Sequence, residues 1–332
     1  MTESPLGGLA VDPAFDSQLG SSMEDVERYL RSTVVSDYPF VTETSRHLVD
    51  AGGKRFRPLL TLLASHFGPR PANDDVIKAA VVVELTHLAT LYHDDVMDEA
   101  QLRRGAPSAN ARWDNSVAIL TGDFLFARAS DILADLGPEA VRIQAQTFER
   151  LCTGQIREAV GPDDGIDPVK HHLQVLSDKT GSLIATAGRF GAMMAGAEAS
   201  TIDTLSRFGE AIGVAFQLAD DIVDITSDAE QSGKLPGTDL REGVPTLATL
   251  IAQATDQSGD DALVAFLSGP IPDDADHARA LRLLREHPAR EDARDEARRW
   301  AGDARRILEP LPAGDAKLAL EALCDYVVNR TG

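Results

Sequence analysis

Apolar residues recur at three- and four-residue intervals along most of the chain, and the stretches differ mainly in what ends them. Over residues 22–50 the spacing predicts helix, stopped at Ala51-Gly52-Gly53. Pro58 then opens a helix over residues 59–67, since a first-turn proline leaves no helical bond unmade. Residues 74–99 read as one long helix whose centre, AAVVVELTHLATLY, is apolar on every side and belongs in a core. Residues 101–108, with Gly105 and Pro107, form a loop. Helical spacing resumes over residues 109–136, 139–160, 168–197 and 201–226. GKLPGTDLREGVP, residues 233–245, is a second loop, and the tail to about Arg330 alternates Arg with acids as solvated helix faces do. Residues 1 to about 20 lack any pattern and are expected as a loose arm. Neither a fixed-period repeat nor strand alternation occurs, so the chain is predicted all-α, one domain over residues 21–330.

Composition narrows what such a bundle can do. Acidic residues outnumber basic ones by 53 to 32, and a net charge of −21 argues against a nucleic-acid partner, whose phosphates must be neutralised. An anionic substrate would need a local cationic or metal-bearing site. Cys152 and Cys324 make no disulfide framework, which predicts a reducing, cytoplasmic setting. The N-terminus has neither the basic start nor the apolar core of a signal peptide, and no apolar run is long enough to predict a transmembrane segment.

The chemistry begins at Asp94-Asp95-Val96-Met97-Asp98. On a helix, Asp94 and Asp98 share a face one turn apart, with Asp95 to the side. The spacing recurs at Asp220-Asp221-Ile222-Val223-Asp224, 126 positions later, and each cluster closes an apolar stretch. Like charges at i, i+4 repel, so two such clusters beside buried surface call for a counter-charge. Oxygen ligands with room for water and phosphate suit Mg²⁺. Either cluster alone reads as a solvated helix end; two with identical spacing do not.

Cations are scarce and sit near those acids. GGKRFRP places Lys54, Arg55 and Arg57 on a glycine-opened loop, Arg103-Arg104 follow the first cluster, and Lys179 and Lys234 complete the set. Arginine holds phosphate oxygens with two hydrogen bonds at once, and lysine supplies a point charge. Arg55 and the arginines of the last third are expected as surface cations. GGKRFRP is not a Walker loop, because G-x-x-x-x-G-K-[ST] is absent.

GGKRFRP, LTHLATLYHDDVMDEAQLRRG, KTGSL, FQLADDIVD and GKLPGTDLREG together resemble the signature blocks of the trans-type isoprenyl (polyprenyl) diphosphate synthases, in order and approximate spacing. The resemblance covers roughly residues 24–250. It implies an all-α bundle of roughly ten or more helices around a central cavity, generally a homodimer, with a small second subunit in some members. The implied reaction joins isopentenyl diphosphate to an allylic diphosphate and releases diphosphate. By resemblance, Asp94, Asp98 and Asp220 hold three Mg²⁺ ions, for which Mn²⁺ can substitute, and Asp95, Asp221 and Asp224 support them. Arg103, Lys179 and Lys234 contact the allylic diphosphate, while Lys54, Arg57, His87 and Arg104 hold isopentenyl diphosphate. Thr180, Gln217 and the Lys179 carbonyl stabilise the allylic cation. One departure stands out: Val244 occupies a place where the family often has lysine.

Product length is expected from the first helix. The growing tail should run back from Asp94 past Thr90, Thr86 and Val82 or Val83, with Ala89 beside them, about 5.4 Å per turn. Short-chain members carry a bulky aromatic four or five positions before the first aspartate; here those positions are the small Thr90 and Ala89. That resemblance implies a heptaprenyl to nonaprenyl product, with Phe126 and Phe148 as candidate floors and farnesyl or geranylgeranyl as the alternative. A terpene cyclase would mix Asn, Ser or Thr with Glu in its second motif. A phosphohydrolase built on His93-Asp94 leaves GGKRFRP unexplained. A non-catalytic synthase-like subunit would have lost an aspartate motif.

Overall fold

Asp12 starts the first helix: its carboxylate accepts the Ala14 and Phe15 amides, and Pro13 sits in the first turn. The computed structural model describes Leu6, Leu9 and residues 11–226, 236–255 and 262–329. The chain is all-α, as expected. In order come α1 (Pro13–Thr33), α2 (Pro39–Asp50), α3 (Phe56–Ser65) and α4 (Asp74–Met97). A two-residue hairpin follows, β1 (Leu102–Arg103) antiparallel to β2 (Ala106–Pro107), then α5 (Ala109–Arg112), α6 (Asn115–Leu136) and α7 (Pro138–Val160). The second half holds α8 (Pro168–Leu176), a π-turn (Ser177–Gly181), α9 (Ser182–Met194), α10 (Ala199–Thr226) and α11 (Thr238–Glu242). It ends with α12 (Leu247–Thr255), α13 (Asp274–Glu286), α14 (Ala289–Ile307) and α15 (Asp315–Asn329).

Several expectations change. The arm is shorter than about 20 residues, because Asp12 and Pro13 nucleate α1 within it. The helix expected over residues 22–50 breaks between Thr33 and Pro39, where Pro39 begins α2. The stretch 109–136 breaks at Trp113 and restarts when Asp114 caps the Val117 amide. The loop 101–108 contains the hairpin, the loop 233–245 contains α11, and the helix over 168–197 carries a π-turn.

Two compact units result. One comprises residues 1–148, 183–209 and 310–320; the other 149–182, 210–309 and 321–332. The first is organised on α4, where Val76, Val81, Val82, Val83, Leu85 and Leu88 are fully buried. By length and composition α4 could cross a membrane, yet it is sheathed by α1, α3 and α6 as a core helix. Gly122 lets α6 lie against it: an added Cβ would sit 3.1 Å from the Ala89 carbonyl oxygen. Buried Tyr92 ties α4 to α2, its hydroxyl donating to the Thr44 carbonyl at 2.6 Å and accepting from the Leu48 amide at 3.2 Å.

The second unit has its own core, built from Leu218, Ile222 and Ile225 of α10, Leu247 and Ala252 of α12, and Leu284 of α13. Ala289, Ala293 and Ala297 bury one narrow face of α14 against α12. The opposite face carries Arg294–Glu291, Arg298–Asp295 and Arg299–Glu296 pairs, each worth only about 0.3–0.5 kcal/mol. These arginines are surface cations, as the alternating pattern implies.

Candidate active site

The first acidic cluster ends α4. Asp95 is fully buried and receives Arg103 Nε at 2.6 Å; its second oxygen is buried with no hydrogen-bond partner. Asp94 is half-buried and Asp98 exposed, and Arg103 Nη2 lies 3.8 Å from Asp98 Oδ2. Arg103 can reach back because Arg104 and Gly105 take positive φ at the hairpin tip, the geometry of a tight two-residue turn. The same turn sends Arg104 to the carbonyls of Leu48, at 3.0 Å, and Gly52. Glycine is favoured at position 53 by its φ of +142°, which side chains rarely adopt, and Arg104 Cζ lies 2.9 Å from where a Cβ would stand.

The GGKRFRP block lies in the same unit, and its cations behave differently from one another. Lys54 is exposed. Arg57 is half-buried with its Nε buried and unpaired; desolvation first, then Arg104, brings its pKa down to about 10, against the opposing pull of Glu84. His87 is pushed well below the usual histidine range by burial and by four arginines, Arg57 foremost, so its ring is neutral. Arg55 corrects an expectation. It is not a surface cation: its side chain is buried, binds Glu27 and Glu84 (2.9 Å to Glu84), and donates to the Val49 and Gly52 carbonyls. These bonds hold its left-handed backbone, φ +46°, at the start of α3. Glu84 was missed, although a lone carboxylate inside VVVELTHL demands a buried counter-charge.

The second cluster lies on α10. Asp221 is buried and accepts from the Gln217 amide at 3.0 Å. Burial first, then Asp239, Asp220 and Asp224, raises its pKa well above the ordinary value. Asp224 accepts the Thr238 and Asp239 amides, both at 3.2 Å, and so docks the start of α11. Asp220 is half-buried. Thr180 Oγ1 donates to Gln217 Oε1 at 3.3 Å, which brings these two predicted residues together. Lys179 Nζ pairs with Glu158 at 2.5 Å, a partner the sequence did not reveal. Lys234 lies outside the described residues. Val244 is at the exposed end of α11, its amide bonded to the Asp239 carbonyl.

Among the described residues no three His, Cys, Asp or Glu side chains form a ready-made metal cage. Mg²⁺ takes one or two carboxylates and completes its shell with water and phosphate oxygens. The i, i+4 carboxylates Asp94 and Asp98, with Asp95 already engaged by Arg103, offer such a partial, all-oxygen set.

A cavity of about 380 Å³ opens in the first unit, lined among others by His93, Phe126, Leu133, Gln144 and Phe148. The Phe126 and Phe148 ring centroids lie 4.4 Å apart, with the rings tilted 59° to each other. Ala89 and Thr86 are fully buried and Thr90 half-buried, and none of the three is in the cavity wall. Gln144 instead donates to Thr86 Oγ1 at 2.7 Å.

Comparison with known proteins identifies the class. The polyprenyl synthetase family profile matches residues 38–284, and the chain belongs to this family of prenyltransferases. It is 50% identical to nonaprenyl diphosphate synthase of Mycobacterium tuberculosis over 97% of this chain and 96% of that one. It is 37% identical to heptaprenyl diphosphate synthase component 2 of Geobacillus stearothermophilus, covering 96% and 98%. Among solved structures, geranylgeranyl pyrophosphate synthase from Corynebacterium glutamicum, complexed with calcium and isoprenyl diphosphate, aligns with TM-score 0.85 and 48% identity over 97% and 98% of the chains.

Proposed function

We propose that this protein condenses isopentenyl diphosphate with an allylic diphosphate, 1′-4 and trans, releasing diphosphate and building a C35–C45 polyprenyl product. The observation that carries the reading is the pair of D-D-x-x-D clusters, each with its second aspartate buried and bonded within the protein. Asp94, Asp98 and Asp220 would hold Mg²⁺, with Asp95, Asp221 and Asp224 holding the helix ends and loops around them. Bound Mg²⁺ neutralises the allylic diphosphate and makes it a leaving group. Arg103 and Lys179 add charge to that group, Lys179 by leaving Glu158. Lys54, Arg57 and Arg104 bind isopentenyl diphosphate, and neutral His87 offers a hydrogen bond without a further charge. Thr180 and Gln217 present oxygens toward the developing allylic cation.

For product length, relatives of nearly equal identity are named nonaprenyl and geranylgeranyl synthases, so similarity alone does not choose. Small Ala89 and Thr90, and the Phe126–Phe148 cavity, favour a long product. The chain acts as a homodimer in the cytoplasm. Exposed Ile119, Leu120, Val141 and Phe148 favour association, and the free thiols of Cys152 and Cys324 suit a reducing compartment. Incubation with Mg²⁺, isopentenyl diphosphate and each short allylic diphosphate, followed by chromatography, tests the reading. A product that stops at farnesyl removes the length argument. Ala89→Phe and Ala129→Phe separate two tail routes, along α4 or through the cavity, by which of them shortens the product.

A further inference from the structure

The π-turn Ser177–Gly181 carries Lys179 and Thr180 in the middle of an otherwise continuous helical run from α8 to α9. One residue per turn too many is an unfavourable helix geometry, and it persists where side chains hold it. Here they do so from both sides. Asp178, buried, accepts Arg150 Nε at 2.9 Å, Arg157 Nη1 at 2.7 Å and Gln174 Nε2 at 3.0 Å. Arg150 Nη2 reaches on to Glu210 Oε1 at 2.7 Å and to Ser177 Oγ at 3.0 Å, and Ser177 Oγ donates to Glu210 at 2.6 Å. The Asp178 carbonyl accepts Ser182 Oγ at 2.6 Å.

Packing reinforces the bonds. Gly154 of α7 has no room for a side chain, because a Cβ would lie 2.9 Å from both Asp178 Cβ and the Lys179 amide nitrogen. A Cβ on Gly181 would stand 3.2 Å from the Glu210 carbonyl oxygen. The turn is therefore clamped between α7 and α10. Two arginines and two carboxylates balance in charge, so the clamp adds no net charge beside Lys179. Burial is the largest single influence and opposes both charges, but the bonds together outweigh it: Glu210 and Asp178 hold Arg150 above its ordinary pKa, and Arg150 and Ser177 hold Glu210 below its own.

We propose that Arg150, Arg157, Asp178 and Glu210 are positioning residues: they lock the π-turn so that Lys179 and Thr180 stand where the prenyltransfer reaction needs them. None of the four touches substrate in this scheme. The inference rests on the prenyltransferase reading above, and misplacing a reacting or stabilising group by about 1 Å can cost about 10²-fold in rate.

Arg150→Ala tests it. Its kcat should fall about 10²-fold while KM for isopentenyl diphosphate stays within about threefold. Millimolar guanidinium, filling the vacated site, should restore part of the lost kcat. Adding Lys179→Ala to Arg150→Ala should cost much less than Lys179→Ala costs alone, whereas adding Asp94→Asn should still cost its full factor. Loss of stability in general would move both double variants alike. A folded Arg150→Ala protein with near-normal kcat, or one fully additive with Lys179→Ala, overturns the lock. Should Arg150→Ala fail to fold, by circular dichroism, Glu210→Gln is read by the same criteria except guanidinium rescue. If wild-type protein makes no prenyl product, the prenyltransferase reading fails; a proficient wild type with an indifferent Arg150→Ala fails only the lock.

Discussion

The two aspartate clusters share a spacing and differ in how the protein supports them. At the first, the buried middle carboxylate meets a full positive charge, Arg103, at 2.6 Å. At the second, Asp221 meets, among the described residues, the Gln217 amide at 3.0 Å, with neutral His172 at 3.9 Å. The last aspartates diverge as well. Asp98 is exposed beside Arg103, whereas Asp224 is occupied by two backbone amides of α11. The second aspartate of an identical string is thus charge-paired in one cluster and hydrogen-bonded in the other. What a carboxylate does in a motif is set by the partners that other segments deliver to it.

The largest effect should ignore that difference. In the proposed site Asp94→Asn and Asp220→Asn would each remove a metal-ligand charge at the diphosphate, and each should cut turnover about 10²-fold or more. Steady-state rates with Mg²⁺ check this, and a variant with near-normal turnover removes its cluster from the metal site. Stability should expose the difference. Arg103→Met strands the buried Asp95 charge and should cost about 3 kcal/mol, whereas Gln217→Leu removes a hydrogen bond from Asp221 and should cost about 1–2 kcal/mol. Denaturant midpoints of the metal-free proteins decide; equal losses would erase the contrast.

Much of this was legible in the sequence, and the remainder has physical reasons for being hidden. Helix periodicity, the apolar α4 and both aspartate strings are local patterns. Asp12, Pro13 and Pro39 also carried readable start signals, overridden by reading residues 22–50 as continuous. The role of Arg55 was not local: Glu27 and Glu84 lie 28 and 29 positions away. The π-turn was hidden for the same reason, since Arg150 and Glu210 hold it from outside its own segment and SDKTG has no unusual composition. The cavity is walled by His93 of α4 and by α6 and α7; it includes Phe126 and Phe148, the floors expected from the sequence, whereas which residues α6 and α7 bring together is set by packing between helices and is not a local pattern.

The surroundings of Asp221 also predict a pH response. Burial, helped by His171, brings His172 from 6.5 down to about 4, and its Nε2 is buried without a partner. Its folded pKa lies below the unfolded value, so the unfolded chain binds the proton more readily. The contribution of this group is therefore complete above pH 6.5 and is lost as pH falls from 6.5 towards about 4. At pH 5 the loss is on the order of 2 kcal/mol. His172→Gln should flatten the decline in unfolding midpoint between pH 7 and pH 5, measured in chelator; an unchanged slope would show that His172 titrates normally.

The smallest expected effect separates the outer aspartates. Asp224 accepts two amides at the start of α11, the duty of a helix-capping side chain, and loss of such a cap costs about 1 kcal/mol. Asp98 is exposed, and its 3.8 Å approach to Arg103 is a surface pair worth about 0–1 kcal/mol. Asp224→Ala should therefore lower the unfolding midpoint of the metal-free protein more than Asp98→Ala does. With Mg²⁺ and substrates the order should invert for rate, because Asp98 is assigned to the metal and Asp224 to α11. Asp98→Ala would then lose more turnover than Asp224→Ala while losing less stability. The same order in both measurements would mean that the two clusters divide their work in the same way, and the contrast drawn from their partners would fail.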